Sequence, residues 1–161
     1  MIYRSRIRIY AVALVFAVVV QSSFGFPRFG FGARHRNELH RAAIRGDSYK
    51  LDRTLRENPA AAKTTDAKGN TALHMAALHG RAEAVHLLLR AGVSTDSTNA
   101  EGMTPLMMAA EGGQIDVAKM LLKAGANPFL KDTRGWTAAK WARKTHHYQS
   151  AVIITLNAAA H

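Results

Sequence analysis

The chain has 161 residues, room for one modest domain and an appendage. Hydrophobic residues make up 48% and charged residues 20%, which excludes wholesale disorder, and with no cysteine the chain has no disulfides, thiol catalysis, Cys-ligated zinc or Fe–S clusters. The net charge of +11 is uneven: residues 1–65 carry 12 Lys/Arg against 4 Asp/Glu, residues 66–131 carry 6 against 6, and residues 132–161 carry 4 against 1.

Arg4, Arg6 and Arg8 precede an uncharged run from Ile9 to Val20, followed by Gln21, Ser22, Ser23, Phe24 and Gly25. A basic start, a short apolar core and small residues beyond it are the parts of a secretory signal peptide over 1–25. Cleavage after Gly25 leaves small residues at the two recognition positions, Ser23 and Gly25; cleavage after Ser22 or Ser23 is the other option. The run is shorter than the roughly 20 apolar residues of a spanning helix. A secreted or periplasmic protein is therefore expected, with a single-pass membrane protein anchored by residues 9–26 as the alternative. Residues 26–36 mix Phe, Gly, Pro and Arg without a regular period and read as a flexible linker.

From residue 37 onward a 33-residue period takes over. It relates Asp66, Asn99 and Asp132; Gly69, Gly102 and Gly135; Thr71, Thr104 and Thr137; and Ala76, Ala109 and Ala142. Within one period Thr104 is a helix N-cap and Pro105 suits the first helical position. Leu106, Ala109 and Ala110 give a short helix with a small-residue stripe, and Gly113 ends it. Ile115, Val117, Ala118, Leu121 and Leu122 supply the stripe of a second helix, closed by Gly125. Each unit is a turn followed by two short antiparallel helices, and stacking is needed to bury their apolar faces.

The segments TALHMAALHG and TPLMMAAEGG, followed by LLLRAG and LLKAG, resemble the ankyrin repeat. The resemblance implies an all-α ankyrin-repeat solenoid over 37–161, with helix–turn–helix repeats at 37–65, 66–98, 99–131 and 132–161, each led by a β-turn finger. The first and last are degenerate caps. Repeat 1 has no finger and places Arg53 where later repeats have Leu87 and Met120, and repeat 4 has His146 in the Gly80 and Gly113 column. The Thr–His pair typical of the inner-helix start survives as Thr71 with His74.

The same resemblance implies protein binding without catalysis, through finger turns and inner helices. Carried over by alignment, the contact positions are Lys68, Asn70, Leu78 and His79 in repeat 2; Glu101, Met103 and Glu111 in repeat 3; and Arg134, Trp136, Arg143 and Lys144 in repeat 4. Met103 and Trp136, large side chains at turn positions, are the candidate hot spots. Met75, Met108 and Trp141 also recur at 33 but are read as core at the seam between helix layers.

On the last outer helix, Val152 and Leu156 stand where His86 and Lys119, and Arg90 and Lys123, face solvent. That apolar pair points to cover by a partner, a second copy or the Phe-rich leader; a one-residue slip of the helix is the alternative. The eight histidines do not recur at ligand spacing, no phosphate-binding or zinc-protease motif is present, and no metal or cofactor is expected. Nucleic-acid binding through the basic ends is the remaining, less favoured reading; it predicts affinity that falls steeply with salt.

Overall fold

A computed structural model describes residues 31–159, with side chains from residue 38 onward. The proposed signal segment and residues 26–30 of the linker lie outside the described residues. From Ala33 on, the chain forms one compact unit. Its elements are α1 (Phe31–Arg45), α2 (Ser48–Glu57), a 3-10 turn (Pro59–Lys63), α3 (Ala72–Leu78), α4 (Ala82–Arg90), α5 (Pro105–Glu111), α6 (Ile115–Lys123), α7 (Ala138–Lys144) and α8 (Tyr148–Ala159). The described residues hold no strand, and one isolated antiparallel bridge joins Thr65 to Thr71. Helix α1 starts at Phe31, so the backbone of residues 31–36, expected as linker, is helical. Ala33, Arg34, Arg36 and Glu38 are good helix formers, and their propensity outweighs the aperiodic pattern.

The helices pair as the period demands. Inner helices α3, α5 and α7 pack side by side, outer helices α4, α6 and α8 pack behind them, and each pair packs across its own turn. Close approach of the inner layer rests on small side chains: Ala76, Ala77, Ala109, Ala110 and Ala142 have no exposed surface. Leu73, Val85, Leu88, Leu106, Leu121 and Ile154 fill the space between layers. Burying a Leu or Ile of this kind is worth about 1.5–3 kcal/mol.

The inner helices start on threonine caps. The Thr71, Thr104 and Thr137 hydroxyls accept from the backbone N–H of His74, Met107 and Lys140. The last outer helix keeps its register, because Ser150, Ala151 and Ile154 are buried where Ala84, Val85 and Leu88, then Val117, Ala118 and Leu121, are buried before it. The slipped alternative is therefore excluded. Val152 and Leu156 are 55% and 65% exposed.

Repeat 1 runs at an offset of 34 rather than 33, placing Leu39, Ala42, Ala43 and Gly46 opposite Leu73, Ala76, Ala77 and Gly80. Under that offset His40 is the counterpart of His74, and the two do the same job. His40 Nε2 donates to the Asn70 carbonyl at 2.8 Å, and His74 Nε2 donates to the Met103 carbonyl at 3.0 Å. Each imidazole ties an inner helix to the finger of the next repeat. The His40 tie escaped the sequence reading.

Candidate binding groove

Three fingers are built alike. Asp66 Oδ1 accepts from the backbone N–H of Lys68 and Asn70, Asn99 Oδ1 from those of Glu101 and Met103, and Asp132 Oδ1 from those of Arg134 and Trp136. Burial alone would raise the Asp66 carboxyl; the hydrogen bonds from the Asn70 side chain and from the Asn70 and Lys68 backbone outweigh it and hold Asp66 below its ordinary range. Gly69 and Gly102 close their turns at φ +77° and +73°.

The fingers are laced to one another. Ala100 N–H donates to the Lys68 carbonyl at 2.9 Å, Thr133 N–H to the Glu101 carbonyl at 3.0 Å, and Asn99 Nδ2 to Asn70 Oδ1 at 2.9 Å. This lacing leaves the tip side chains of Lys68, Glu101 and Arg134 exposed along one edge.

Between that edge and the inner helices lies a groove of about 550 Å³. Met75, Met108 and Trp141 form its floor, Leu78 and Glu111 its far wall, and Lys68, Asn70, Glu101, Met103 and Arg134 its finger side. Trp141 is fixed by its Nε1–H, which donates to Asp132 Oδ2 at 2.9 Å. The Arg134 guanidinium lies 5.4 Å from the Trp141 ring and 3.5 Å from the Glu101 carboxylate. Glu111 is raised above the ordinary carboxylate range by burial, then by the neighbouring Glu101 charge, with Arg134 opposing.

The groove gathers most of the predicted positions and corrects several. Lys68, Leu78, Glu101, Glu111 and Arg134 line it as expected. Asn70 and Met103 line it too, but at 5% and 3% exposure they are finger roots and not tips. The reason is the turn itself, which points the fourth residue's N–H back at the Asx side chain. Trp136 is likewise no free hot spot. It is partly buried, edge-on to Trp141 at 5.1 Å between ring centres, with Lys140 Nζ 4.8 Å from its ring.

His79 is exposed at the end of α3 and Lys144 at the end of α7, both outside the groove. Arg143 is a correction of register: it occupies the column of the buried Ala77 and Ala110, one residue ahead of Leu78 and Glu111. It lines a separate pocket on α8 with Tyr148, Val152 and Leu156. The column read as core packing, Met75, Met108 and Trp141, is packed in or against the core, with Met108 and Trp141 at 7% exposure, and its remaining surface is also the groove floor. The recurrence at 33 was its visible signal.

The family model for ankyrin repeats (3 copies) matches residues 39–132, more than half of the chain. The chain belongs to the ankyrin-repeat family. A 60-residue stretch is also 43% identical to the ankyrin repeat protein nuc-2 of Neurospora crassa, covering 37% of this chain and 6% of that protein. The chain thus spans a small part of that relative's length. Ankyrin repeats generally serve as protein–protein interaction modules and are typically not catalytic. No group of three or more His, Asp or Glu suited to a metal ion occurs among the described residues, and no described helix is long and apolar enough to cross a membrane.

Proposed function

We propose that this ankyrin-repeat chain is an exported, non-catalytic binding module that holds a segment of a protein partner in the groove between fingers and inner helices. The observation that carries the reading is the groove's composition: methionine, leucine and tryptophan walls lie beneath a rim of alternating charge from Lys68, Glu101 and Arg134. Apolar surface supplies affinity, and the flanking charges fix orientation. Flexible methionines at two of the three floor positions suit adaptable packing against another chain.

A photo-crosslinking residue placed at Leu78 is expected to trap one partner in the producing organism, whereas the same residue at solvent-facing His86 on the outer layer traps none. Equal trapping at both positions, or at His86 alone, would refute the groove. Export is supported by the basic, apolar and small-residue order of residues 1–25. N-terminal sequencing of the mature chain is expected to begin just after Ser22, Ser23 or Gly25; a membrane-bound chain retaining Met1 would establish the anchor instead. Self-association along Val152 and Leu156 is a separate part of the proposal. Sedimentation is expected to show a dimer that Val152→Lys converts to a monomer, and a monomeric wild type argues against it.

A further inference from the structure

Within that groove one group is placed against its own interest. Glu111 is the last residue of α5, where the negative end of the helix dipole disfavours a carboxylate. Its repeat neighbours in the same column are Leu78, which is uncharged, and Lys144, which suits a helix C-terminus. Glu111 is also partly buried, and it receives no hydrogen bond and no ion pair from any described residue. The nearby cation is already committed: Arg134 sits against Glu101 and over the faces of Trp136 and Trp141. Glu101 adds repulsion, and burial with that repulsion raises the Glu111 carboxyl.

A half-buried, unpaired carboxylate at this position weakens the free protein; a cation arriving from outside relieves every one of these penalties at once. We propose that Glu111 is the recognition point for an arginine or lysine side chain of the partner segment, whose adjoining apolar residues lie on Met75, Met108 and Trp141. This rests on the groove being the binding site. Complementarity of charge and of apolar surface then specifies the occupant: a stretch of protein in which one basic residue is set among apolar ones, not an acidic or purely apolar segment.

The test is selection from a random peptide display library by the full chain without residues 1–25 altered, alongside Glu111→Gln, Glu111→Lys and the groove variant Leu78→Asp. Peptides enriched by the wild type are expected to carry Arg or Lys at one fixed position beside apolar residues. Glu111→Gln should bind those peptides about tenfold more weakly, the loss of one charge-assisted hydrogen bond. Glu111→Lys should exchange the basic column for Asp or Glu. Peptides that enrich, that Leu78→Asp rejects and that show no basic column overturn this proposal and leave the groove standing. No enrichment, or peptides indifferent to Leu78→Asp, overturns the groove and the proposal together. Melting curves of the Glu111 variants separate lost recognition from lost folding, and stability at or above wild type is expected.

Discussion

The finger glycines show how neighbours multiply the cost of one methyl group. A Cβ at Gly69 would lie 2.9 Å from the Ala100 backbone nitrogen, the donor that laces two fingers together, whereas one at Gly135 meets nothing within 4 Å. Both positions have positive φ, so alanine costs about 1–2 kcal/mol at either. Gly69→Ala should lose about 1 kcal/mol more than Gly135→Ala in urea melts, the worth of the displaced hydrogen bond. Histidine and glutamate set opposite pH responses. The His74 ring is neutral because Nδ1 accepts from the Thr71 N–H while Nε2 donates to Met103. Burial lowers its pKa from 6.5, against the raising effect of its hydrogen bonds. The unfolded chain therefore takes up the proton first, and stability present above pH 6.5 is lost as pH falls toward the folded value. His74→Gln should be less stable at neutral pH and lack that slope. Glu111 runs the other way: its raised folded pKa makes the folded state the better proton acceptor. Glu111→Gln should thus exceed wild-type stability at pH 7, with the gap closing as pH drops through the carboxylate range.

At the scale of elements, the pair α7 and α8 carries two locally unfavourable features. Their connection puts His146 at φ 64°, in a column otherwise held by glycine. Ser150 replaces Ala84 and Val117 in the buried stripe, and its hydroxyl has no hydrogen-bond partner. His146→Gly and Ser150→Ala are each expected to stabilise the chain by about 1 kcal/mol, read as a higher melting temperature. Elements were legible in the sequence where their determinants are local. Threonine caps, helix-ending glycines and alanine stripes recur at 33; the helices of repeats 2 and 3 follow all of them, and those of repeat 4 keep the threonine cap and Ala142. What stayed hidden depends on direction and offset. His40 was missed because repeat 1 is spaced by 34. Met75, Met108 and Trp141 belong to the core as expected, but their second role in lining the groove stayed hidden, because a seven-residue helix with Ala76 and Ala77 already committed to packing leaves one side for the fingers. Asn70 and Met103 turned inward because their N–H groups are held by the Asx side chains, a constraint that residue type does not announce.

Over the whole molecule, the basic excess of the sequence is not gathered in the groove. The basic excess belongs to the ends of the sequence, while the groove mixes Lys68 and Arg134 with Asp66, Glu101 and Glu111. Partner affinity should therefore fall less than about tenfold between 50 and 200 mM salt, whereas a protein neutralising many phosphates loses about 10³ or more over that range. A steep salt dependence measured by titration calorimetry would return the basic ends to consideration.

The lacing of finger to finger has one more consequence. Because Lys68 and Glu101 each offer a backbone carbonyl to the next finger, and each finger brings one charged tip and one floor residue, the binding surface is graduated like a ruler. A duplicated repeat inserted between the second and third would add one graduation without disturbing the marks on either side. Reach and sequence preference can thus evolve separately: copying a unit lengthens what is measured, and a tip substitution changes only what is read at one mark.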